Sequence, residues 1–218
     1  MSKVKRTIVV KGIGRVKRAP DQMELGLVVQ TREKEYEQTI EKADASICKL
    51  NAAMVSEGVE LEDIKTSNLS IQAEYENAQD ARGNYVRRFV GYLCEHEMMI
   101  RVPLDLSLLG RLLRAISQTN AHPQLSIRFT VKDKKSVVHE LLASAAEDAL
   151  EKARVLAEAS GVTLGKLMHV EDDWQEAVIF SPTNMRVSEA MAMKDRHLAI
   201  TPEDMDVSHT VRFVWAIE

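Results

Sequence analysis

A chain of 218 residues with 45% hydrophobic content can bury a substantial core, which excludes a disordered protein and leaves one large domain or two small ones. The net charge of −4 and the pI near 5.9 are those of an ordinary soluble protein, and no apolar run approaches the length of a membrane-spanning helix. The charge is uneven: residues 1–20 hold Lys3, Lys5, Arg6, Lys11, Arg15, Lys17 and Arg18 and no acid, so that stretch carries +7 and leaves −11 for the rest.

In chain order, Thr7 to Val10 opens a first strand that also contains Gly12 and Gly14, and glycine inside a strand marks a bulge or a close neighbour. Gly12-Ile13-Gly14 lacks a third glycine and a following helix, which argues against a dinucleotide loop. After a turn at Ala19-Pro20-Asp21, Met23, Leu25, Leu27 and Val29 alternate with Glu24, Gly26, Val28 and Gln30 in a second, half-buried strand. Arg32 to Glu57 is a long helix with the stripe Tyr36, Ile40, Ala43, Ile47, Leu50 and Met54, and Gly58 stops it. Thr66 to Tyr75 reads as a strand, residues 77–84 as a polar loop, and Phe89 to Val102 as the returning strand of a hairpin. On that strand Tyr92, Cys94, His96, Met98 and Ile100 share one face, and Glu95, Glu97 and Arg101 take the other.

Asp105 caps a shorter helix with Leu108, Leu109, Leu112, Leu113 and Ile116 on its buried side, and Leu125 to Val131 forms the next strand. The longest helix runs from Asp133 to Gly161, with Val138, Leu141, Leu142, Ala145, Ala149, Leu156 and Ala157 as its apolar stripe and Asp148–Lys152 and Arg154–Glu158 as outer ion pairs. So many alanines predict a partner that comes close, a sheet above all. Leu164 to Val170 is a strand, residues 171–203 are a mostly irregular excursion, and Val207 to Ile217 is a last strand. Glu57-Gly58-Val59-Glu60-Leu61 and Ser160-Gly161-Val162-Thr163-Leu164 each follow a long helix and precede two strands. The chain therefore reads as α+β, with antiparallel or mixed sheets covered by two long helices and one shorter helix in two similar ββα-type layers.

Few cues point to chemistry. Among six histidines, His96-Glu97 and His139-Glu140 lack the second histidine of HExxH, so no metal is expected. Met185, Met191, Met193 and His197 could attract soft copper, but methionines in a loop more often supply adaptable packing. His96 and His209 fall on apolar strand faces, where a hydrogen-bonded structural role is the simpler reading. Cys48 and Cys94 have no metal or redox spacing and read as buried, inert side chains. No GxSxG elbow or Walker loop occurs, and no cofactor is expected.

Four stretches together resemble the SIMPL-domain family: IVVKGIGRVKRAPDQMELGLVV; GVELEDIKTSNLSI; Gly91-Tyr92 running into RVPLDLSLLGRLL; and KARVLAEASGVTLGKLMHVED with the closing VSHTVRFVWAIE. The most specific pieces are Ala19-Pro20-Asp21, Asp63 to Leu69 and Ala157 to Val162. The resemblance spans nearly the whole chain and implies a single domain over 1–218, with possible sub-layers 1–102 and 103–218. It also implies kinship with bacterial periplasmic and surface-associated immunogenic proteins, some tied to oxidative or DNA-damage stress and some assembling into hollow oligomers. The family offers no established enzyme activity and no agreed catalytic residues, so none is carried over. MSKVKRTIVVKGIG does not read as an export signal, which leads to the expectation of a cytoplasmic protein.

The leading expectation is a non-enzymatic, self-associating protein with a stress-related role. It would use edge strands, the alanine-rich helix and the 171–203 excursion for assembly, with Tyr36, Met54 and Met191 at contacts. A second reading is an enzyme or small-ligand binder with a pocket between layers, using His96, Glu97 and Arg101. A third, ranked last, is a nucleic-acid or acidic-surface binder working through Lys3, Lys5, Arg6, Lys11, Arg15, Lys17 and Arg18; a solvated edge strand kept from aggregating by its charges explains the same residues.

Overall fold

The structure is a computed structural model that describes residues 6–79, 84–172, 179–186 and 200–218. It contains eight described strands and three α-helices, arranged in two compact units that each pack helix on sheet, the α+β architecture expected. The strands are β1 (Thr7–Arg18), β2 (Gln22–Glu33), β3 (Ile64–Gln79), β4 (Tyr85–Pro103), β5 (Gln124–Thr130), β6 (Leu164–Glu171), β7 (Asn184–Arg186) and β8 (Met205–Ile217). The helices are α1 (Tyr36–Ser56), α2 (Leu106–Gln118) and α3 (Lys134–Ala159).

The first unit gathers 1–20, 130–182 and 202–218. Its sheet has the order β1-β8-β6, antiparallel throughout, with an unbroken register from Thr7↔Ala216 to Arg18↔Met205. Asp133 caps α3 by accepting a hydrogen bond from the Ser136 amide, at 2.9 Å. The helix buries Val137, Leu141, Ala145, Ala149, Ala153 and Ala157, a row at uniform spacing of four. That row differs from the expected stripe. Leu156 is exposed, Val138 and Leu142 are only partly buried, and Ala153 and Val137, absent from that stripe, are buried. Close approach is the reason. A Cβ on Gly12 would stand 1.9 Å from the Ala145 carbonyl oxygen, and one on Gly14 would stand 1.9 Å from that of Leu141. The glycines of β1 thus mark a close neighbour rather than a bulge, and only a small-residue ridge lets the helix backbone come so near.

The same approach treats the edge of the sheet. The Ile13 amide donates to Asp148 Oδ2 at 2.7 Å and the Arg15 amide to Ser144 Oγ at 3.3 Å, so side chains of α3 receive amides of the edge strand β1. Lys152 Nζ donates to Asp148 at 2.6 Å and to the Lys11 carbonyl at 3.4 Å. Asp148 is held below the ordinary carboxyl value, first by Lys152 and then by the Ile13 amide.

The second unit gathers 21–129 and 183–201 and carries a sheet of order β3-β4-β2-β5-β7, with β2–β4, β3–β4 and β5–β7 antiparallel. Its core joins Met23, Leu25, Leu27 and Val29 of β2 and Met98, Ile100 and Val102 of β4 to Ile47, Leu50 and Met54 of α1 and to Leu109, Leu112 and Ile116 of α2. Asp105 caps α2 as expected, accepting from the amides of Ser107 and Leu108. The 171–203 excursion is more ordered than its composition predicts over its described part: Ile179 is buried, its carbonyl accepts from Thr130 Oγ1 at 2.6 Å, and β7 pairs with β5. Residues 77–79, read as loop, and residues 85–88, which fall between that loop and the expected start of the returning strand at Phe89, extend the β3–β4 hairpin instead.

The two units repeat one plan. In each, a long helix is followed by a strand at one side (β3 or β6) and then by the strand it pairs with (β4 or β8), whose other neighbour is β2 or β1.

The close contact makes quantitative demands. Gly14→Ala should lower stability by about 3 kcal/mol or more, because the clash is with backbone rather than a flexible side chain. Gly110→Ala, at an open position on α2, should raise it by about 1 kcal/mol. Urea unfolding of the two variants checks both signs, with midpoints moving and slopes unchanged. Asp148→Ala should cost about 1 kcal/mol at neutral pH. Because the folded pKa is depressed, the stability Asp148 adds is present above its ordinary 3.8 and is lost as pH falls through the lower folded value, so the variant and the parent should converge in acid.

Candidate functional site

Sheet edges are where a fold can meet another chain, and this fold treats its edges unequally. Among the described residues β1 is covered by α3, β7 is three residues long, and β6 carries Lys166 and two register shifts. The remaining edge, β3, pairs among the described residues only with β4. Between register shifts at Thr66/Asn68 and Glu74/Tyr75 it runs regularly from Asn68 to Glu74, seven residues with a single charge and no proline. On its helix side are Leu69, Ile71 and Ala73, in register with His96, Cys94 and Tyr92. Leu69 is 56% exposed, because α1 lies over β2 and β4 and stops short of β3.

Beyond Glu74 the hairpin continues as a two-stranded ribbon whose β4 residues, Tyr85 to Val90, are exposed one after another. The ribbon's register shifts where Gly91 faces Glu74; there φ is +152° and a Cβ would lie 2.4 Å from the Glu33 carbonyl oxygen. At its base four rings meet edge to face: Tyr36 on Tyr92 at 5.4 Å, Tyr92 on Phe89 at 5.3 Å, and Phe89 on Tyr75 at 5.7 Å. The Arg87 guanidinium lies 4.8 Å from the centre of the Tyr75 ring, and Arg88 pairs with Glu76. Tyr36, Tyr75 and Phe89 remain about half exposed, and Ile40 on the same helix is 39% exposed. The stripe predicted for α1 is therefore split: Ala43, Ile47, Leu50 and Met54 are core, while Tyr36 and Ile40 face outward. Met54, expected at a contact, is 1% exposed and belongs to the unit's own core.

The polar residues singled out from sequence lie on two faces of β4. His96 is on the helix face, 2.9 Å from Thr66 Oγ1, and burial pushes its pKa down from 6.5 against an opposing pull from Asp44. Glu97 and Arg101 are on the opposite face, where Glu97 accepts from Asn68 Nδ2 at 3.3 Å and Arg101 Nε donates to the buried Glu24 at 3.1 Å. The strand alternation thus separates His96 from the other two.

Of the basic residues, Lys3 and Lys5 lie outside the described residues, and Lys11, Arg15 and Lys17 alternate outward along β1. Lys17 pairs with Asp204 at 3.7 Å and Arg18 takes both oxygens of Glu140 at 2.7 and 2.9 Å, while the Arg6 carbonyl accepts from the Ile217 amide. His209 lies 2.6 Å from Asp172, in keeping with a structural role. Cys94 is buried and its thiol is pushed up by burial, whereas Cys48 is exposed on α1, contrary to expectation, because it falls between the turns that face the sheet. Met191, Met193 and His197 lie outside the described residues. Among the described residues no group of three or more His, Cys, Asp or Glu is placed to hold a metal, and no helix is long and apolar enough to cross a membrane.

These features define an α+β protein with helix-covered antiparallel sheets and, among the described residues, one long open strand edge. The chain belongs to the SIMPL family, described as a protein of unknown function (DUF541), whose profile matches residues 8–215. Two similar proteins, each named 26 kDa periplasmic immunogenic protein, come from Brucella melitensis biotype 1 and Brucella abortus strain S19; each is 25% identical over 165 residues, 76% of this chain. The match spans 66% of each relative's length, just under two thirds. The regulatory subunits of aspartate kinase from Thermus flavus and, in ligand-free form, Thermus thermophilus overlap 96% and 95% of this chain and 90% and 88% of theirs. Their identities are 8% and 9% and their TM-scores 0.22 and 0.20, values that carry no argument about fold or ligand. The cytoplasmic expectation is overturned by the Brucella proteins, which are named periplasmic. It rested on the absence of a recognisable signal at the first residues, and the place where a sequence begins does not bear on compartment.

His96 supplies a pH dependence of known sign. A histidine kept neutral by burial contributes full stability above its ordinary 6.5, and that stability is lost as pH falls from there through the lowered folded value. Thermal melts between pH 7.5 and 5 should show this fall in the parent and a flatter profile in His96→Gln.

Proposed function

We propose that this protein works by self-association, as a non-enzymatic assembly in the bacterial periplasm with a role under oxidative or other stress. The observation that carries the reading is the half-exposed aromatic group Tyr36, Tyr75 and Phe89 at the base of the β3–β4 ribbon. A two-stranded ribbon is marginal in water on its own, and clustered exposed rings mark a surface that another protein surface covers. The compartment is taken from the names of the Brucella relatives, and the stress role from the stress-linked proteins to which the sequence resemblance points. A second copy is the partner supported best, because the adjoining edge of β3 is close to neutral and can match itself without setting like charges together.

Light scattering on a sizing column at several concentrations should give a fixed multiple of 24.5 kDa. Phe89→Ser, which removes the middle of the ring chain, should shift the mass to a smaller value, with the circular dichroism spectrum unchanged. A mass of 24.5 kDa at every concentration would sink the reading. The stress component has its own test: deleting the gene in a strain that carries it should reduce survival in peroxide, and unchanged survival would remove that component alone.

A further inference from the structure

We infer that two copies of this chain join edge to edge through β3, antiparallel about a two-fold axis at Ile71, so that two five-stranded sheets become one. The inference rests on the self-association reading and specifies which strand and which register carry it.

Three features of β3 fix the geometry. First, β3 is the long edge without a covering helix among the described residues, so a row of its amides and carbonyls is available to a further strand. Second, the stretch able to form a regular ladder is bounded by the register shifts at Thr66/Asn68 and Glu74/Tyr75. A two-fold axis that uses the whole stretch has to pass through its midpoint, Ile71. The register is then Asn68 opposite Glu74, Leu69 opposite Ala73, Ser70 opposite Gln72, and Ile71 opposite Ile71. Third, the side chains suit that register and no shift by one. Directly opposite residues share a face, so Leu69, Ile71 and Ala73 of both copies form one apolar row on the helix side, while Asn68, Ser70, Gln72 and Glu74 form a polar row behind it. The exposed Leu69 lies against the small Ala73, the two Ile71 side chains meet on the axis, and Glu74, already paired with Arg32 at 3.0 Å, faces an uncharged Asn68. A shift by one residue would set apolar against polar along the whole seam. An axis at any other residue of the stretch, Ser70 and Gln72 included, keeps the faces but shortens the ladder or carries it across a bulge, so ladder length selects Ile71.

Disulfide trapping tests the register. In a Cys48→Ser/Cys94→Ala background, Ile71→Cys places two thiols on the axis; directly opposed strand residues have Cα separations of about 4.5–5.5 Å, within disulfide range. Removing Cys94 is necessary because it is the neighbour of Ile71 within the chain. Mild oxidation is expected to shift the Ile71→Cys chain to twice 24.5 kDa on a non-reducing gel. Leu69→Cys alone and Ala73→Cys alone should stay at the single-chain mass, since each would face its own copy about 13 Å away along the seam. A mixture of those two variants should cross-link. Both positions are exposed, so these variants keep the test decisive even if Ile71→Cys folds poorly. Self-linking of all three single variants would mean a parallel seam, and failure of both Ile71→Cys and the mixture would exclude the seam; either overturns the inference. Light scattering of the cysteine-free parent separates the two levels. A multiple of 24.5 kDa without cross-links retires the β3 seam and leaves self-association standing, whereas a single-chain mass retires both.

Discussion

The contact of α3 with β1 sets the terms for the first unit. A carbonyl oxygen 1.9 Å from where a Cβ would be is a separation that only glycine permits, at Gly12 against Ala145 and again at Gly14 against Leu141. Once the helix is that close, its polar residues Ser144 and Asp148 reach amides on the far side of the strand, which is how a terminal edge is covered without a further strand. Glycine in β1, the every-fourth-residue row of α3 that is alanine from Ala145 to Ala157, and the two acceptors are therefore one device. Changing any of them disturbs the others.

The second unit solves the same problem differently, and the comparison follows from their shared plan. The counterpart of β1 is β2, and where β1 has α3 side chains at its free edge β2 has the strand β5. Relieved of that duty, α1 packs with Ala43, Ile47, Leu50 and Met54 in place of a strict alanine row. In both units the strand after the long helix, β6 or β3, is left outside the helix's cover. At β6 register shifts and Lys166 interrupt the edge, whereas at β3 a seven-residue run without them persists. The difference between two similar layers thus lies in what each does with its third strand.

Much of the fold is legible in the sequence because its cues are local. The caps Asp105 and Asp133, the glycines after the long helices and the alternation of β4 and β8 each act within a few residues and appear where expected. What escapes is decided by chain segments far apart. Tyr36 and Ile40 continue the same stripe as Ile47, and periodicity cannot distinguish a residue under the sheet from one projecting past it. The ribbon at 77–79 and 85–88 carries no period of two, since neither face is buried, so its first part reads as loop and its second part gives no strand signal. Leu156 looks like a core residue until the helix is known to touch its sheet along a ridge of fours. The candidate site is harder still, because an open edge is a property of strand order, and strand order is written in no single segment.

Charge explains why the basic first strand and the open edge have different parts. A chain of net charge −4 repels its own copies, so contact between copies is easiest where local charge is small. The basic stretch does not offer such a place, and part of its charge is already engaged within its own unit, with Arg18 held in a two-pronged pair by Glu140 and Lys17 facing Asp204. Exposed pairs of this sort add little stability, but they lower the net field that an outside polyanion would sense. From Asn68 to Ala73, by contrast, β3 has no charged side chain, and Glu74 is matched by Arg32. With screening over roughly 8 Å at physiological ionic strength, a neutral strand of that length lets two acidic molecules approach while their charged surfaces remain apart. Backbone hydrogen bonding can then act where electrostatic repulsion is weakest, which makes the unguarded edge of β3 a more suitable meeting surface than the charged face of β1.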